Sequence, residues 1–169
     1  MYVPKYHAMA GCHEAHALIE AHPLGAWVTL TDDGLVANHI PFVLDRSRGQ
    51  FGTLLGHVSR ANHVWRQLSE AAQSVVMFQG PQAYITPGWY PSKLEDGKVV
   101  PTWNYQAVHV TGRITFQHDT QAKRVAVGLL TRLHEHRLNG ADAWKMADAP
   151  ADYMEMMLGN IVAFRIAPT

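Results

Sequence analysis

A chain of 169 residues, 47% hydrophobic and 17% charged, has the size and composition of one soluble domain with a real core, and its 14 basic and 14 acidic side chains cancel. That balance gives no general pull toward nucleic acid or an anionic membrane. A single cysteine, Cys12, excludes an internal disulfide, no apolar run reaches membrane-spanning length, and residues 1–10 lack the apolar stretch of a secretion signal, so a cytoplasmic protein is expected.

Between Cys12 and His22, the residues Ala15, Leu18 and Ile19 recur at helical spacing until Pro23 ends the pattern, which predicts a short helix. Residues 26–31 are β-type, Asp32, Asp33 and Gly34 supply a turn, and residues 35–44 continue as a strand, so the pair reads as a hairpin. Pro41 cannot donate to a ladder and predicts an edge, a bulge or a bend in that second strand. After a charged turn at 45–49, residues 51–55 form a third strand. Val64, Trp65 and Leu68 then make the inner face of a short helix, with Ser59 or Asn62 as its cap.

Strands at 74–79 and 102–116 flank a segment in which Pro81, Pro87, Gly88, Pro91, Gly97 and Pro101 repeatedly fix or free the backbone. This predicts a short further strand and a long shaped loop. Trp89 and Trp103, each close to a Tyr, argue that the loop is ordered, because disordered segments are poor in large aromatics. Residues 120–138 form the longest helix, begun by Asp119 or Thr120, with Val125, Leu129, Leu130 and Leu133 as its inner face. A second short helix at 150–158 and a strand at 161–166 complete one domain over residues 1–169.

Four residues near the third strand suggest an anion site. His57, Ser59, Arg60 and Asn62 combine a permanent charge, hydroxyl and amide donors and a helix start within six residues, although an ordinary capped surface helix would look the same. Metal sites are disfavoured. His13-Glu14-Ala15-His16 lacks the second residue that would bring both imidazoles to one helix face, and His134 and His136 point about 200° apart around a helix. Cys12, with no paired His evident, reads as an inert thiol, and Met154, Met156 and Met157 read as filling of a core or a dimer surface.

Five segments in order, A-N-H-I-P-F from Ala37, G-H-V-S-R-A-N from Gly56, F-Q-G-P-Q-A-Y-I from Phe78, W-Y-P-S-K from Trp89 and V-P-T-W-N-Y from Val100, resemble the PaiB family of FMN-binding negative transcriptional regulators. The resemblance implies a mainly β (α+β) FMN-binding split barrel with peripheral helices, related to pyridoxamine 5′-phosphate oxidases. It also implies a homodimer with FMN between the subunits. On that pattern Ser59 and Arg60, with His57 and Asn62, bind the FMN phosphate, and Ala61 stands where many relatives have a second base.

The strand residues Asn38, His39 and Ile40 then offer donors and an apolar wall to the flavin ring; as an alternating strand they also read as a polar face turned to solvent. Trp103, Asn104 and Tyr105 form a wall of the flavin pocket reached across the dimer interface, or an aromatic core or interface plug. Three functions are consistent with this: a regulator acting through flavin or a protein partner, an FMN-dependent oxidoreductase, or a haem-handling protein on the same barrel. Basic residues are scattered and no helix-turn-helix with a basic recognition helix is evident, so direct DNA binding is expected to be weak or absent.

Overall fold

The computed structural model describes residues 1–9, 11–68 and 73–169. Its centre is a seven-stranded sheet with all neighbours antiparallel, built from β1 (Leu24–Thr31), β2 (Gly34–Pro41), β3 (Val43–Asp45), β4 (Thr53–Ser59), β5 (Gln73–Ile85), β6 (Thr102–Gln117) and β7 (Ile161–Pro168) in the order β2-β1-β5-β6-β7-β4-β3. Four helices surround it: α1 (Cys12–Ala21), α2 (Val64–Gln67), α3 (Thr120–Asn139) and α4 (Ala151–Gly159).

The strand expected over 35–44 is two strands, and the break decides the architecture. β2 ends at Pro41, which lacks a donor, while the Phe42 N–H bonds the Pro23 carbonyl at 2.9 Å and its ring is buried. β3 then begins at Val43 and pairs with β4, at the opposite edge of the sheet from β2. Two edges separated in sequence by Phe42 alone lie side by side, so the sheet curls into a barrel.

The interior follows from period-two alternation. Trp27, Val76, Phe78, Leu54, Ile114, Phe164 and Ile166 are each at most 1% exposed. Phe164 organises them: Trp27 stacks on it at 5.1 Å, and Phe42 and Phe116 meet it edge-on at 5.9 and 6.0 Å. Each buried aromatic adds about 1.5–3 kcal/mol of apolar transfer, and each such pair about 0.5–1.5 kcal/mol more. Gly112 lets β6 press on β7, because a Cβ there would overlap the Ala167 carbonyl oxygen.

Three expectations need correction. β4 runs on to Ser59 instead of ending at 55, since β7 pairs with it through Ser59↔Ile161. α2 is a single turn, so the helix start expected to face an anion is too short to act as one. On α3 the buried residues are Lys123 and Ala126, whereas Val125 and Leu133 are exposed and Leu129 and Leu130 half-buried. α3 packs on β3, β4 and β7 through another face, which leaves part of its apolar stripe outside the core. Among the described residues no helix is long and apolar enough to cross a membrane.

Candidate functional site

The predicted residues fall into two groups. In the first, β4 alternates: Leu54 and Val58 enter the core with Gly56 between them, whereas Leu55, His57 and Ser59 take the opposite face, where Leu55 lines a 230 Å³ cavity beneath α3. Gly56 is required by space, for a Cβ would stand 2.8 Å from the Phe164 ring and 3.3 Å from Ile40. Burial pushes the His57 imidazole below the usual 6.5, and its Nδ1 is sealed without a partner among the described residues.

Beyond β4 the chain closes a tight turn. Ser59 accepts from two backbone donors, Ala61 N–H at its Oγ (3.2 Å) and Asn62 N–H at its carbonyl (2.9 Å), and its hydroxyl proton stays available. Arg60 donates through its backbone N–H to the Asn160 carbonyl (2.8 Å) and through Nε to the Gly159 carbonyl (2.7 Å), while its own carbonyl accepts from Trp65 Nε1 (3.1 Å). The side chain thus satisfies a carbonyl at the end of α4, and its terminal nitrogens make no bond to a described residue. Asn62 holds the turn by accepting from Val64 N–H (3.1 Å) and donating to Asn38 Oδ1 (2.8 Å).

Asn38 therefore faces inward, cross-strand from Trp27, and its Nδ2, like Trp27 Nε1, is sealed without an acceptor among the described residues. Its neighbours on β2 part company: His39 is exposed on the outer face and Ile40 is 8% exposed in the core. One strand cannot present all three side chains to one ligand.

The second group lies on a ribbon. At Gly80 and Pro81 the β5–β6 register shifts, and beyond it Gln82–Ile85 pairs only with Thr102–Tyr105. Trp103 is 56% and Tyr105 59% exposed on one face, with Asn104 exposed on the other. Trp103 Nε1 donates to Gln82 Oε1 at 2.9 Å, and the Tyr84 ring lies 6.0 Å from the indole. Trp103, Asn104 and Tyr105 help to line a 1210 Å³ cavity whose other walls include α1 and most of residues 1–9.

Sequence reasoning missed two features here. Cys12 Sγ lies 3.0 Å from His16 Nε2, which also donates to the Phe51 carbonyl at 2.9 Å; the four-residue helical spacing was the available signal. Buried Lys123 had none, because its position on α3 reads as polar surface.

Comparison with solved structures places this fold beside flavin proteins. The chain superposes on the FAD and heme binding protein from Mycobacterium smegmatis with a TM-score of 0.63 at 20% identity, covering 95% of this chain and 68% of that one. On a flavocytochrome from Azotobacter vinelandii the TM-score is 0.63 at 16% identity, covering 99% and 69%. The expected α+β split barrel is the fold observed.

The family model described as "Putative FMN-binding domain" matches residues 1–169. Over 167 residues the chain is 31% identical to "Protease synthase and sporulation protein PAI 2" of Bacillus subtilis, covering 98% of this chain and 76% of that relative. The chain belongs to this PaiB-type FMN-binding family, and FMN is its cofactor.

Proposed function

We propose that the chain acts as a homodimer of the regulatory PaiB kind in which each FMN site is built from two chains. Ser59 and Arg60 of one protomer take the phosphate, and Trp103, Asn104 and Tyr105 of the other wall the ring. The observation that carries this is the distance between the two groups. Ser59 sits near the Gln117 end of β6, across β7, while Trp103 and Tyr105 lie at the other end; from Tyr105 to Gln117 the strand runs on the order of 40 Å at ~3.3 Å per residue. One flavin does not bridge that length within one chain. A two-stranded ribbon bearing exposed Tyr84, Trp103 and Tyr105 also lacks the cover that such ribbons need in water.

The residues fit FMN. The Arg60 terminal nitrogens and the Ser59 hydroxyl are donors without another acceptor among the described residues, which suits a phosphate monoester. Asn62 and Asn38 position the Ser59–Val64 turn from beneath, and His57, held neutral by burial, adds no charge of its own. Trp103 and Tyr105 exclude water from the ring. FMN when bound supplies one- and two-electron redox chemistry, and the protein supplies position and electrostatics.

The relative's name, which refers to protease synthase and sporulation, supports a regulatory role. That role runs through the flavin state or a protein partner, because the net charge is zero and the basic residues form no cluster in the sequence. An FMN-dependent oxidoreductase is the second reading, favoured by the 1210 Å³ cavity, which exceeds the roughly 300–1,000 Å³ of ordinary ligand pockets and leaves room for a substrate.

Subunit complementation tests the shared site. Arg60→Ala and a Trp103→Ala/Tyr105→Ala double variant should each bind FMN poorly as homodimers, while a co-expressed heterodimer should regain one intact site and half the wild-type flavin content. No recovery, or a monomer of 18.8 kDa in light scattering that still binds FMN fully, would refute it. Bleaching of the bound flavin by NAD(P)H would favour the oxidoreductase.

A further inference from the structure

Among the described residues Lys123 is the one ionisable side chain in the buried set, at 4% exposure. Lysines are rarely buried without a partner, because an ammonium withdrawn from water loses its hydration. Among the described residues Lys123 has no counter-ion. The ion pairs of the described residues are Arg46–Glu20, Arg48–Asp45 and Lys98–Asp96, and no side-chain hydrogen bond reaches Lys123. Asp119, one turn earlier, spends its carboxylate on capping α3 through the Ala122 N–H at 2.8 Å. The sealed, unpartnered side-chain atoms among the described residues are Trp27 Nε1, Asn38 Nδ2 and His57 Nδ1, so the Lys123 ammonium keeps an opening to solvent.

The fold brings this ammonium toward Arg60. The Arg60 carbonyl accepts from the Trp65 indole, the Trp65 ring meets the His118 ring at 5.3 Å, and His118 precedes the cap of α3. The turn at 59–62 thus lies against the start of α3, which packs on β4 and β7. Burial first, and then the Arg60 charge, push the Lys123 ammonium below the usual lysine range, with Asp119 acting in the opposite direction. Among the described residues Arg60 likewise has no carboxylate partner. Two neighbouring cations with no acid paired to them among the described residues, beside the Ser59 hydroxyl, match a dianion better than they match each other.

We propose that Lys123 is a second cation for the FMN phosphate, acting with Arg60 and Ser59 on a phosphate monoester; this rests on the reading that the phosphate is held at that turn. α3 then serves as the outer wall of the phosphate subsite, and the like-charge repulsion within the apo protein is relieved when the anion arrives.

The test uses Lys123→Met, which keeps the apolar stem and removes the charge, and Lys123→Arg, which keeps the charge. Lys123→Met should lower FMN affinity by about 10- to 100-fold and leave riboflavin affinity unchanged, and Lys123→Arg should retain most of the FMN affinity. With buried charge replaced by apolar surface, the Met variant should melt in chloride at or above the wild-type temperature. In a second arm without flavin, inorganic phosphate should raise the wild-type melting temperature above that in chloride at equal ionic strength, and the increment should vanish in Lys123→Met. Wild-type FMN affinity in Lys123→Met, or equal losses for FMN and riboflavin, would overturn the assignment. Should the wild-type protein bind neither flavin, the FMN reading itself fails. The phosphate arm then decides alone: a phosphate increment lost in Lys123→Met keeps the anion site, and no increment removes it.

Discussion

Arg60→Ala separates binding of the flavin's phosphate from binding of its ring. The Arg60 Nε bond to the Gly159 carbonyl, at 2.7 Å, ties the turn after β4 to the end of α4, and losing it costs about 0.5–1.5 kcal/mol of stability at an exposed position. The terminal nitrogens are the part left for a ligand. One charge-assisted bond to a phosphate oxygen is worth about 1.5–3 kcal/mol, or roughly 10- to 150-fold in affinity. Riboflavin has the same ring system and no phosphate, so its affinity should hardly move. Arg60→Lys keeps a charge but neither the fork nor the Nε seat, and should fall between Ala and wild type for FMN. Quenching of flavin fluorescence at fixed salt measures both ligands, with circular dichroism melts to show that the variants fold. Equal losses for FMN and riboflavin, or an unchanged FMN affinity, would contradict the assignment of the phosphate to Arg60.

The same structure gives three further predictions. Burial lowers the His57 pKa below 6.5, so the unfolded chain takes up the proton first and stability, full above about pH 6.5, declines as pH falls from there toward the lowered value. His57→Asn should flatten that decline in urea midpoints, leaving a residual slope from His109, which burial and then the N-terminal charge also shift downward; an unchanged curve would exclude His57. Gly56→Ala drives a Cβ into the Phe164 ring and should cost about 1–3 kcal/mol, whereas Gly159→Ala, with open space around its Cβ, should be close to neutral; similar melting temperatures for the two would argue against the packing described. Fluorescence titrations with promoter-length duplexes across a salt series, FMN-loaded and FMN-free, should detect no submicromolar binding at physiological salt, and sequence-selective binding in either state would show that a basic surface forms where the sequence shows none.

Most strand and helix positions were legible because the signals are local: Pro23 stops α1, Asp119 caps α3, and alternation marks β1, β5 and β6. What was not legible depends on partners remote in sequence. β4 extends to Ser59 because β7, a hundred residues later, pairs with it there. Pro41 signalled an interruption, but that Phe42 carries the chain from one sheet edge to the other needs the whole strand order. The motif names Asn38, His39 and Ile40 together, and only the pleat in three dimensions shows that Asn38 and Ile40 turn inward while His39 turns outward. Lys123 stayed hidden because α3 buries a different face from the one its apolar spacing marks.

The placing of β7 sets the order in which the molecule is put together. β3 and β4 hydrogen-bond to the rest of the sheet only through β7, so during synthesis they form a hairpin that has nothing to join until residue 168 has been made. Until then Leu54, Leu55 and Val58 lack their cover, and Arg60 lacks the Gly159 and Asn160 carbonyls that seat it. Closure across so long a stretch of chain is slow compared with helix formation, and its open intermediate exposes strand edges that invite misassembly. The turn after β4 is consequently among the last parts of this sheet to mature, because the seat of Arg60 waits for α4 and β7 to be in place.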